Sequence, residues 1–148
     1  MTTTPPPDLS QRPHSLTVER EMTASPAALY QAWTHTFDAW FATPGTLQMR
    51  GEVGTPFFFE VHAQGNRYPH YGRFLRLEPD RLIELTWVTG AGGTEGAETV
   101  VSVELQPRDG GALLRLRHAG FATDEAAHGH EQAWPSILAH LDEQLTTA

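Results

Sequence analysis

Eight histidines, ten arginines, no lysine and no cysteine make imidazole and guanidinium the groups through which this 148-residue chain could do chemistry. Imidazole is the ordinary side chain that changes charge near neutral pH, and guanidinium is suited to carboxylate or phenolate partners. The local pair His128-Gly129-His130 invites a metal reading. Two residues apart on a helix, however, the rings face different ways and cannot chelate one ion. His130-Glu131-Gln132-Ala133-Trp134 also lacks the second histidine of a zinc-protease helix, so neither metal nor cofactor is expected. No Gly-x-Ser-x-Gly nucleophile elbow occurs, and Gly90–Gly96 lacks the lysine and following helix of a phosphate loop. That glycine-rich stretch reads instead as a flexible connection whose place at a rim would suit a lid. No residue is assigned as catalytic.

The strands must decide which polar groups meet a ligand. Alternation over Leu16, Val18, Arg20 and Met22, over Tyr71, Arg73, Leu75 and Leu77, and over Leu114, Leu116 and His118 places Arg20, Arg73 and His118 on inward faces. An inward charge is costly unless paired, so each is either satisfied internally or waits for a ligand. The competing structural roles are snorkelling or a strand-end carboxylate partner for Arg73 and a backbone carbonyl for His118. Glu60, Glu84 and Glu104 phase outward, leaving no carboxylate to pair with an inward histidine.

Behind these groups stands a readable order of elements. Residues 1–12 carry Pro5-Pro6-Pro7 without periodicity and are expected to be a disordered tail, with one domain over 13–148. A strand over His14–Met22 runs into a helix capped by Ser25, with Pro26 at its first position. A second short helix is expected near Phe37–Phe41, followed by a meander of strands from Leu47 to His118. Gln64-Gly65-Asn66-Arg67 reads as a hairpin turn. A last helix opens at Thr123-Asp124-Glu125 and repeats Trp134, Ile137, Leu138, Leu141 and Leu145 in one stripe, with a bend expected at Pro135.

Composition narrows the partners. A formal charge of −8 disfavours phosphate backbones and anionic membranes, so no nucleic acid and no membrane partner is expected. No apolar run approaches a membrane span and no signal segment is visible, which makes a cytoplasmic location the default.

Pro26-Ala27-Ala28-Leu29-Tyr30-Gln31-Ala32-Trp33-Thr34, Trp40-Phe41, the run Glu78–Trp87, Leu116–Phe121 and Trp134-Pro135-Ser136-Ile137-Leu138 together resemble the activator-of-heat-shock-ATPase homologues. These belong to the START-related, birch-pollen-allergen-like superfamily. The resemblance covers about residues 14 to 146, departing at Ala133, where the family usually has glycine. It implies an α+β helix-grip fold, a curved antiparallel sheet of six or seven strands around a long C-terminal helix, with two short helices after the first strand.

A hollow between such a sheet and helix is the expected site. Trp40, Phe57, Phe59, Tyr71, Arg73, Trp87, His118, His130 and Trp134 are its expected lining, while Trp33 reads as core filler. The expected partner is an apolar or aromatic small molecule, favoured when weakly acidic because of Arg73. Two alternatives follow from the resemblance: a polyketide cyclase or dehydratase using Tyr71, His118 or His130 as acid or base, and a regulator of a heat-shock ATPase. A homodimer is a further expectation.

Overall fold

The computed structural model describes residues 4–146. Strand β1 (His14–Met22) leads into helix α1 (Pro26–Thr34) and a single 3₁₀ turn, Phe37–Ala39. Strands β2 (Pro56–Ala63), β3 (Asn66–Glu78), β4 (Leu82–Trp87), β5 (Thr99–Arg108) and β6 (Gly111–Phe121) follow, and helix α2 (Asp124–Thr146) is the last element among the described residues. The six strands form one antiparallel sheet in the order β1-β6-β5-β4-β3-β2, the α+β helix-grip arrangement. No helix among the described residues is long and apolar enough to cross a membrane.

Local signals set the element ends. Ser25 Oγ accepts the Ala28 N–H at 3.1 Å and Thr123 Oγ1 accepts the Ala126 N–H at 3.1 Å, each satisfying a donor that the helix start leaves free. Gln64 and Gly65 adopt positive φ of 53° and 81°, the two-residue hairpin turn whose twist matches the strands, with Ala63 and Asn66 paired beside it. The expected strand at Leu47–Met49 is reduced to an isolated bridge between Gln48 and Phe58. Helix α2 runs unbroken through Pro135.

Helix α2 packs chiefly over β1 at one edge of the sheet. Its C-terminal half is held there by Asp142. That buried carboxylate accepts the Thr23 N–H at 2.9 Å, the Thr23 hydroxyl at 3.0 Å and the Ala24 N–H at 2.9 Å, closing the β1–α1 junction onto the helix. Between helix and sheet, Trp33, Phe37 and Phe59 are fully buried, with Phe37 stacked on Phe59 at 5.2 Å and on Trp40 at 4.8 Å. Rings at these separations interlock, so this end of the grip is solid.

Strand β3 corrects the expected phase. Its pairing with β4 shifts between Phe74 and Arg76, a bulge after which side chains change faces. Alternation read backward from Leu77 therefore carries Arg73 and Tyr71 inward, when the inward residues before the bulge are His70, Gly72 and Phe74. Gly72 leaves a notch beside the Phe57 ring, since a Cβ there would run into the Thr86 carbonyl oxygen and the Phe57 ring.

The N-terminal segment is likewise tied down from Thr4 onward, where sequence alone suggests a free tail; Met1 to Thr3 lie outside the described residues. The Thr4 N–H donates to the Leu75 carbonyl at 3.0 Å. Arg12 donates to the Gly120 carbonyl at 2.7 Å and to the Glu98 carbonyl at 2.6 Å. The anchor is polar, which hydrophobic periodicity does not reveal.

Candidate ligand-binding site

Because α2 lies over β1, its N-terminal half stands away from the opposite edge of the sheet. A groove of about 650 Å³ opens there. Val61 and Tyr68-Pro69-His70 of the β2–β3 hairpin form one wall, Trp87 and the Gly90–Gly93 backbone a second, and His130, Trp134 and Ile137 of α2 the third. Its volume falls within the range of small-molecule pockets, and its walls are mainly apolar and aromatic. A second hollow, of about 610 Å³, lies on the outer face among Glu19, Arg76, Glu78, Arg81 and Arg115, whose charges are largely paired with one another.

Three histidines on the inner side have distinct hydrogen-bond states. His118 is fully buried with both nitrogens occupied. The Trp134 indole N–H can only donate, so His118 Nδ1 accepts it at 3.1 Å. Nε2 therefore carries the proton and donates to Thr99 Oγ1 at 2.8 Å, and Thr99 in turn donates to the Trp87 carbonyl at 2.6 Å. Burial, with His130 nearby, holds the His118 pKa well below the usual imidazole value. A neutral relay with no free lone pair or proton is a structural tie between α2, β4, β5 and β6.

His70 and His130 are different. Each donates Nδ1–H to a backbone carbonyl, His70 to Tyr68 at 2.9 Å and His130 to Ala126 at 2.9 Å. In the neutral form of each ring Nε2 is thereby left as a lone-pair acceptor, with no hydrogen-bond partner among the described residues. Neither is a sealed, orphaned atom: the one buried side-chain nitrogen or oxygen lacking a partner there is Trp33 Nε1, so both Nε2 atoms keep solvent exposure, and both residues line the groove. His70 stacks on Phe59 at 4.8 Å and meets the Trp87 ring at 5.3 Å. Burial pushes its pKa down to about 4, with His130 contributing in the same direction.

Of the expected lining, Trp87, His130 and Trp134 border the groove. Trp40, Phe57 and Phe59 are buried in the packed core beyond it, and the Trp40 indole donates to the Ala32 carbonyl at 3.0 Å. His118 lies beneath Trp134 rather than at the surface of the groove. Two placements are corrected outright. Tyr71 is 50% exposed on the outer face beside Phe58 at 5.2 Å. Arg73 lies on that face too, bonded to Glu98 at 3.3 Å and to the Pro5 carbonyl at 3.0 Å. Arg20 is exposed on β1.

Sequence reading missed His70 and Phe41, both of which line the groove. The available signal for His70 was Gly72 two residues later, a small residue marking the phase that faces a crowded interior. Gly90–Gly96 is also no loose connection. The Thr94 N–H donates to Thr89 Oγ1 at 2.8 Å, the Thr89 N–H to Thr94 Oγ1 at 2.9 Å, and the Gly96 N–H to the Thr89 carbonyl at 2.9 Å, folding the loop on itself as a rim. No group of three or more potential metal ligands comes together among the described residues.

Fold and groove define the class, a helix-grip domain with an aromatic groove between sheet and terminal helix. Within it, the chain belongs to the family described as Activator of Hsp90 ATPase homolog 1-like protein, which matches residues 23–146. Its fold is similar to protein CV1439 from Chromobacterium violaceum, with TM-score 0.77 and 21% identity over 92% of this chain and 100% of that one. Protein MLL2253 from Mesorhizobium loti is similar at TM-score 0.73 and 24% identity, over 89% and 96% of the two chains. The solution structure of the Aha1 dimer from Colwellia psychrerythraea is similar at TM-score 0.66 and 21% identity, over 90% and 97%. Among curated proteins, none matches the chain.

Proposed function

We propose that the chain is a small-molecule binding protein whose ligand, an apolar or aromatic compound, lies in the groove between the sheet rim and α2. The observation that carries this is the concave wall made by Trp87, Trp134, Ile137 and Val61 around about 650 Å³ of open space. Regulation of a heat-shock ATPase, the reading carried by the family name, calls for a protein-docking face. An aromatic hollow favours the small molecule.

The acid–base alternative loses two of its three candidates to geometry, His118 because both nitrogens are bonded and Tyr71 because it faces outward. A preference for acidic ligands also loses its basis, since Arg73 is on the outer face. Arg67, at the groove mouth, is the arginine that borders this space.

A plug tests the proposal. Ala133 is exposed and borders the groove, so Ala133→Trp fills space without entering the core. The dye anilinonaphthalene sulfonate should bind the wild type saturably at one site, and Ala133→Trp, with an unchanged melting temperature, should weaken it at least about tenfold, the effect of losing on the order of 1.4 kcal/mol of contact. Unaltered dye binding in a folded Ala133→Trp variant would remove the groove from consideration.

A further inference from the structure

We infer that His70 and His130 form a paired hydrogen-bond acceptor that selects neutral hydroxyl-bearing aromatic ligands over their ethers, an assignment that rests on the groove being the binding site. Both protons are fixed on Nδ1 by backbone carbonyls, Tyr68 for one ring and Ala126 for the other. Such bonds choose the tautomer, and the tautomer makes each Nε2 an acceptor.

The two residues line the groove from different elements, His70 from β3 and His130 from α2, so a ligand in the groove borders both rings. Burial keeps His70 uncharged at neutral pH. It therefore offers a lone pair and not a cation there.

The nearby donors do not answer these acceptors from within the protein. The Trp134 N–H is taken by His118. The Trp87 indole N–H has no hydrogen-bond partner among the described residues, and its ring stands 5.3 Å from His70. A ligand hydroxyl suits this surrounding because it donates to an imidazole and its oxygen can still accept. An ether oxygen only accepts, and beside an Nε2 lone pair it leaves that acceptor desolvated and unpaired. Selection against the missing proton is the larger effect, as in any site built to bond a hydroxyl.

Imidazole lone pairs are also metal ligands, so the test separates a hydroxyl from an ion. Binding of 2-naphthol and 2-methoxynaphthalene should be compared by indole N–H shifts in nitrogen-edited NMR spectra, with EDTA present. The wild type should take 2-naphthol at least about fivefold more tightly than the ether, within the range set by one or two net hydrogen bonds. His130→Phe, which keeps a ring in the groove, should reduce that ratio to below about two while leaving the ether's affinity within about twofold. His70→Phe should act alike, and a melting curve checks that this buried substitution folds. Equal binding of both compounds by the wild type, or a ratio unmoved in folded His130→Phe, overturns the inference and leaves the groove standing. Naphthol binding that appears only with added Zn²⁺ overturns it also, because the imidazoles would then be metal ligands. If neither compound binds, the groove proposal itself falls.

Discussion

The two ends of the grip use the same residue types to opposite effect. At the end nearest α1, Trp33, Phe37, Trp40 and Phe59 are buried against one another, with Phe37 stacked on Phe59 at 5.2 Å. At the other end Trp87 and Trp134, 5.7 Å apart, form the wall of a groove. Aromatic content therefore does not locate a site. The difference lies in how α2 is held: Asp142 ties its C-terminal half to Thr23 and Ala24, whereas its N-terminal half is tied to β6 through Trp134 and His118 and has the β2–β3 hairpin across the groove from it. Histidine repeats the lesson. His118 has spent both nitrogens on Trp134 and Thr99, and His70 and His130 have spent one each.

The sharpest way to break this comparison is to truncate one side chain at each end. Phe37→Ala, at a fully buried position, should cost about 3–5 kcal/mol in urea unfolding. Ile137→Ala, half-buried on the groove wall, should cost about 1 kcal/mol or less, because part of its surface already faces solvent. Equal losses would mean that the groove wall is as tightly packed as the closed end.

Acid should act on the inner histidines next. Above pH 6.5 His70 is neutral in both states. Below it the unfolded chain takes up a proton that the folded chain refuses until about pH 4, so stability present above pH 6.5 is lost as the pH falls through this window. For His70 alone the loss is on the order of 3 kcal/mol, and His118, shifted in the same direction, adds to it. Unfolding free energies that stay flat between pH 7 and pH 4 would show that neither imidazole is held neutral by burial.

The smallest effect distinguishes two tryptophans of equal burial. Trp134→Phe removes the donor to His118 Nδ1 and leaves a buried acceptor unpaired, while Trp33→Phe removes an N–H that has no partner among the described residues. Trp134→Phe should therefore be the more destabilising by about 1–3 kcal/mol. Chemical denaturation of both variants measures this directly. Parity would mean that the Trp134–His118 bond contributes nothing net.

The legible parts of this chain are those whose signal is local. Period-two alternation in β4, β5 and β6, the caps at Ser25 and Thr123, the Gln64-Gly65 turn and the apolar stripe through Trp134, Leu138 and Leu141 fix strands, helices and their order, because each depends on neighbours within a few residues. What the fold alone decided is non-local. The bulge after Phe74 turned Tyr71 and Arg73 outward and His70 inward, since a single extra residue reverses every side chain before it. The polar anchor of Arg12 joins residues 86 and 108 positions away. Whether an imidazole is occupied or open depends on which partners 16 or 19 positions distant arrive beside it, as the donor Trp134 and the acceptor Thr99 do at His118. The groove belongs to this second class as well, because an unfilled space is a property of how α2 and the sheet are clamped together, and no residue type encodes it.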